Sequence, residues 1–147
     1  MTIRLAIING PNLNLLGKRE ESIYGSQSFE SFLQHLEQKF PQFSFTYYQS
    51  NVEGELVNAL QNLAAESDGI IINAAAYSHT SIAIPDAIAA VDTPAIGVHI
   101  SNIYQREDVR HIDLLAKSCK ACLFGFGLMG YEMAIRYFEN LMDDKQV

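Results

Sequence analysis

The chain has 147 residues, 48% of them hydrophobic and 18% charged. That is enough to bury a core without disulfide or metal staples, and no apolar run approaches the ~20 residues that a membrane-spanning helix needs. A net charge of −7 with no basic stripe argues against a nucleic-acid partner, and an anionic ligand would have to be held by a few local arginines against the overall field.

Met1-Thr2-Ile3-Arg4 runs straight into an apolar β-type segment with no leader pattern, so a cytoplasmic location is expected. The first strand is predicted over residues 4–9. A helix follows a cap at Ser28, carried by Phe29, Phe32, Leu33, Leu36 and Phe40 at helical spacing and stopped by Pro41. Residues 43–49 read as a strand, and Leu56, Val57, Leu60, Leu63 and Ala64 as the stripe of a second helix. Residues 69–73 form the third strand. Residues 82–91 form a helix after Ser81, with Pro85 early enough for the first turns to tolerate it. Strands are predicted at 95–99 and 121–126, and a last helix on Tyr131, Ala134, Ile135, Phe138 and Leu141. The first, third and fourth strands are continuous apolar runs, as in strands covered on both faces. This alternation, with no linker or low-complexity stretch, predicts one α/β domain over residues 1–147. It should be a flavodoxin-like, doubly wound, five-stranded parallel sheet with helices on both faces. Ligands of such sheets gather beyond the carboxyl ends of the strands.

The polar residues fall there. Strand one leads into Asn9-Gly10-Pro11-Asn12-Leu13-Asn14 and then a loop, residues 17–25, with Lys18, Arg19 and Tyr24; strand two leads into Gln49-Ser50-Asn51. Strand three reaches Asn73, then Tyr77-Ser78-His79-Thr80-Ser81. Strand four delivers His99-Ile100-Ser101-Asn102, with Arg106 and Arg110 soon after. The opposite connections, residues 65–68 and 92–94, carry no His, Arg or Tyr. Two other patterns suggest less. Cys119 and Cys122 form C-x-x-C but lead into what reads as a buried strand, so they are expected to be buried, reduced, structural thiols and not a redox or zinc motif. Residues 125–130 fit G-x-G-x-x-G, yet they follow the last strand with no later strand to carry a ribose-binding acid. A glycine turn that lets a helix pack closely is the better account.

The strand-end residues have a family resemblance. Asn9-Gly10-Pro11-Asn12-Leu13-Asn14-Leu15-Leu16-Gly17-Lys18-Arg19-Glu20, followed by Tyr24-Gly25, resembles the opening signature of the type II 3-dehydroquinate dehydratases. Gln49-Ser50-Asn51 with Glu53-Gly54-Glu55-Leu56, Ile72-Asn73 through His79-Thr80-Ser81, and Val98-His99-Ile100-Ser101-Asn102 are similar to the segments that follow. Arg106-Glu107, Arg110-His111 and Gly127-x-x-Gly130-Tyr131 complete the likeness in family order.

The resemblance implies the trans-elimination of water from 3-dehydroquinate to give 3-dehydroshikimate, in shikimate biosynthesis or quinate breakdown, with no metal or organic cofactor. Tyr24 would be the base that removes a proton next to the ketone, and Arg19 would favour its phenolate by Coulomb attraction. Asn12 would help hold the enolate oxygen through water, and His99 would be the acid for the leaving hydroxyl. Asn73, His79, Ile100, Ser101 and Arg110 would bind substrate, Arg110 taking the carboxylate with its guanidinium fork. The family assembles trimers into dodecamers, and Asp86 resembles the residue that a neighbouring subunit lends to the site. Departures are local: Ala74-Ala75 stands for the usual Pro-Gly, Glu21 for Pro and Pro85 for Arg. Gly97 replaces the usual glutamate two residues before the acid. Either support for His99 comes from elsewhere, with Ser101, Tyr104 or water as candidates, or the chain runs with a looser acid, and Gly97→Glu is expected to raise turnover. The alternative is a catalytically weakened oligomer kept for binding, which a turnover assay separates. A phosphoacceptor receiver or a flavin carrier would need acidic or Ser/Thr-rich residues where Asn9 stands.

Overall fold

Isoleucine- and valine-bearing apolar runs supply the first, third and fourth strands, an aromatic run the second and a short apolar one the fifth. In the computed structural model, which describes residues 1–18 and 20–144, the strands lie side by side. They are β1 (Ile3–Asn9), β2 (Phe43–Gln49), β3 (Gly69–Asn73), β4 (Ala95–His99) and β5 (Ala121–Phe124). All neighbouring pairs are parallel, in the order β2-β1-β3-β4-β5. This is the flavodoxin-like order, which reverses direction between β1 and β3 and leaves a crevice there. Asn9 pairs in register with Gln49 on one side and Asn73 on the other, so three amides share one sheet edge.

The helices cover both faces. Ser28 caps α2 (Phe29–Lys39), accepting from the Ser31 amide at 3.2 Å. Its Phe29, Phe32 and Leu36 pack with Tyr131, Ile135 and Phe138 of α5 (Met129–Asp144) on one face of the sheet. On the other face, Leu56 and Leu60 of α3 (Glu53–Ala64) meet Ile84 and Ile88 of α4 (Ala83–Ala89). Close approach rests on missing side chains. A Cβ on Gly10 would stand 2.6 Å from the Ala74 carbonyl oxygen, so the ends of β1 and β3 abut directly. A Cβ on Gly130 would stand 3.2 Å from a Val98 methyl, so its absence lets α5 pack closely on β4, as expected of the glycine turn.

Four expectations change. β5 stops at Phe124, because Gly125 turns the chain at φ +88°. It is also an edge strand whose side chains are half-buried to exposed, so Cys119 and Cys122 are free thiols in a half-buried site and not a buried one. Residues 17–25 are not all loop: Glu21–Tyr24 forms one helical turn, α1, between Gly17 and Gly25 at φ +85° and +82°. α4 is shorter than predicted, starting where Ser81 Oγ accepts from the Ile84 amide at 3.0 Å. Among the described residues, no helix is long and apolar enough to cross a membrane.

Candidate active site

Asn12, Tyr24, Asn73, His79, His99, Ile100, Ser101 and Arg110 line one cleft of about 630 Å³, partly open to solvent, at the carboxyl edge of the sheet. Asp86 lies exposed on α4 and does not line the cleft of its own chain. Arg19 lies outside the described residues.

The floor is a fixed amide network. Tyr131, fully buried at the start of α5, donates to Asn9 Oδ1 at 2.7 Å and accepts from Asn73 Nδ2 at 3.1 Å. Burial holds its phenol neutral, pushing its pKa far up. Asn73 Oδ1 takes the Ala75 amide at 3.1 Å, so both ends of the side chain are oriented. Above it, Asn12 adopts a left-handed backbone, φ 69°, with its amide on Asn51 Oδ1 at 3.0 Å. This conformation suits asparagine better than most residues.

At one wall Arg106 donates through Nη1 to the Tyr24 hydroxyl at 3.0 Å and to Ser101 Oγ at 3.3 Å, its guanidinium carbon 5.7 Å from the Tyr24 ring centre. Arg106 carried no assigned role in the sequence; the signal was a second arginine on the rim, one helical turn before Arg110. Arg110 also lines the cleft, with its Nε on Glu107 at 2.7 Å.

At the other wall two imidazoles stack, His79 and His99, with centroids 5.8 Å apart and planes 24° from parallel. His79 donates through Nδ1 to the Ile112 carbonyl at 2.7 Å, which leaves Nε2 as an acceptor. Burial first, then the nearby His99 and Arg110, lower its pKa and keep it neutral. His99 donates through Nε2 to Asp113 Oδ2 at 2.9 Å. Burial opposes the Asp113 charge, but the His99 hydrogen bond and charge and the Leu115 amide outweigh it and hold the carboxyl below its ordinary range.

Asp113 was missed in the sequence, and it replaces the expected partners of His99. Ser101 bonds to Arg106, while the Tyr104 ring packs on His111 and Phe124. The gain expected of Gly97→Glu loses its basis as well. A Cβ at Gly97 would stand 3.1 Å from Cys122 Sγ and 3.5 Å from Cys119 Sγ, and His99 Nε2 already has a carboxylate. The thiols form a hydrogen-bonded pair; that bond and burial raise the Cys119 pKa. Among the described residues no group of three or more His, Cys, Asp or Glu is placed to hold a metal.

This chain is similar to known proteins over almost its full length. It is 45% identical over 143 residues to the 3-dehydroquinate dehydratase of Campylobacter lari, covering 96% of this chain and 89% of that one. The crystal structure of type II dehydroquinase from Butyrivibrio crossotus superposes with a TM-score of 0.90 at 40% identity, covering 94% and 98%. That from Propionibacterium acnes superposes at 0.88 with 34% identity, covering 93% and 96%. The sequence profile of the class II dehydroquinases matches residues 3–139. On those matches, and on a sheet order and strand-end cleft that agree with them, the chain belongs to the class II dehydroquinase family.

Proposed function

We infer that this chain is a 3-dehydroquinate dehydratase, removing water from 3-dehydroquinate through an enolate to give 3-dehydroshikimate. The observation that carries this beyond the family match is one cleft holding a phenol under a guanidinium and an imidazole backed by a carboxylate. An elimination of water next to a ketone needs that pair: a base for the carbon-bound proton and an acid for the departing hydroxyl. Tyr24 is the base, its charge supported by Arg106 and by Arg19. Asn12 steadies the enolate oxygen through water. His99 protonates the hydroxyl, and the neutral His79 offers Nε2 to a substrate hydroxyl. Arg110 takes the carboxylate, and Asn73, Ile100 and Ser101 complete the binding site. Side chains alone supply the chemistry.

The same reading extends to assembly. Trimers build a dodecamer in which Asp86 serves a neighbour's cleft. In support, Asp86 is exposed on α4, and Ile82, Val109 and Ile112 show 72%, 67% and 66% of their surface on a single chain, apolar side chains that an assembly would cover.

The decisive assay mixes purified protein with 3-dehydroquinate and follows the ultraviolet absorbance of the conjugated enone. A rise that stops when Tyr24→Phe replaces the parent is expected; a flat trace with the folded parent overturns the function. Borohydride added with substrate should leave activity intact and add no mass. A lysine adduct would replace the tyrosinate mechanism with an imine.

A further inference from the structure

His99 closes β4 and is nearly buried, so its ring orientation is set by what touches it. Its Nε2 meets Asp113 Oδ2 at 2.9 Å, with the two side chains 8% and 12% exposed. The carboxylate is fixed from its other side, where Oδ1 accepts the Leu115 amide at 2.9 Å. One face of the imidazole is stacked on His79. Gly97, which shares the His99 face of β4, offers no side chain, and the Cys122 and Cys119 sulfurs close the space where one would begin. Strand β4 therefore supplies no polar partner for the ring at that position. The partner comes from the connection between β4 and β5.

We propose that Asp113 is the positioning residue of the dehydration: by accepting the Nε2 proton of His99 it fixes the ring and leaves Nδ1 as the acid facing the substrate. The proposal rests on His99 being the acid of the functional reading above. In the step itself the Nδ1–H bond breaks and its proton joins the leaving hydroxyl as the carbon–oxygen bond breaks, releasing water. Nε2 keeps its proton and Asp113 stays an anion throughout. The cycle closes when Tyr24 releases the proton it took from carbon and His99 regains one from solvent. An ionised Asp113 makes this a charge-assisted hydrogen bond, so removing the charge should loosen the ring and alter how the acid's contribution varies with pH. The other titratable groups around this pair are the neutral His79, Tyr24, Arg106 and Arg110 across the cleft, and Cys119 and Cys122, whose ionisation the Asp113 charge opposes. Of these only Tyr24, as the base of the mechanism, carries negative charge, and Arg106 bonds to its oxygen, so Asp113 is the one anion bonded to the His99 ring.

The test is Asp113→Asn, which keeps size and the acceptor for Leu115 but removes the charge. Expected is a fall in kcat of about 10–100-fold with KM changed less than about 2-fold, and the decline in rate at high pH beginning about one pH unit lower. A folded Asp113→Asn with parental kcat and pH profile overturns the proposal. A merely structural pairing would change stability and leave that profile in place. Should the variant fail to fold, histidine-labelled nitrogen NMR of the parent decides. A slowly exchanging Nε2–H on His99, with Nδ1 as the nitrogen that titrates, supports the proposal; titration at Nε2 overturns it. A folded parent that does not turn over 3-dehydroquinate brings down the functional reading itself, an outcome distinct from failure of the variant test.

Discussion

A phenol works as a base only where something holds its negative charge, and here Arg106 sits on the Tyr24 oxygen. Tyr24→Phe removes the proton acceptor and leaves the ring, so kcat should fall at least ~100-fold with substrate binding little altered. Steady-state kinetics that kept near-normal turnover would remove Tyr24 from the mechanism. His79 gives a pH signature. Its folded pKa is lowered, mainly by burial, so below the unfolded value of ~6.5 the unfolded chain takes up a proton that the folded one resists. The stability that His79 contributes is complete above that value and is lost as pH falls through the folded one. Urea midpoints of the parent should drop more steeply than those of His79→Gln between about pH 7 and 5; parallel curves would contradict the shift. Asn12, Asn73, His79 and His99 were legible in the sequence because each follows a strand that its apolar run identifies. Asp113 and Arg106 were not. Both lie in the irregular stretches between the short 3-10 turns that join β4 to β5, where no periodicity marks which side chains meet.

At the level of elements, strand and helix positions followed from hydrophobic period, and the errors fell at ends, where a single residue's backbone decides. Gly125 shortens β5 in this way. A second such position is Ala75, held at φ +52° just after β3. A left-handed backbone costs an alanine ~1–2 kcal/mol, and the family resemblance places glycine there. Ala75→Gly should relieve this, less glycine's larger entropy loss, for a gain of roughly 0.5–1 kcal/mol. Chemical unfolding reads it directly, and an unchanged or lower midpoint would show that the turn is not strained. Gly10 should tolerate nothing larger, because the Ala74 carbonyl occupies the place of its side chain.

For the molecule as a whole, strict alternation of β and α runs implied the parallel sheet, and the strand order β2-β1-β3-β4-β5 agrees with the flavodoxin-like architecture expected of it. What alternation could not tell was which connection would reach back over the sheet edge. Light scattering at micromolar concentration should return a large homo-oligomer; a monomer mass would contradict the assembly and leave Asp86 without a role. The Ile112 carbonyl anchors His79, Asp113 anchors His99, and the Leu114 amide is tied to Ser78 at 2.8 Å. Three consecutive residues thus set two rings, one at the end of β4 and one in the 3-10 turn that follows β3. Connections of this kind usually absorb insertions and deletions, but here one added residue between His111 and Leu115 would put both rings out of place together. The length of this segment should therefore drift little as homologous chains diverge, and engineering of the cleft has more latitude in side chains along its walls than in the loop that spans them.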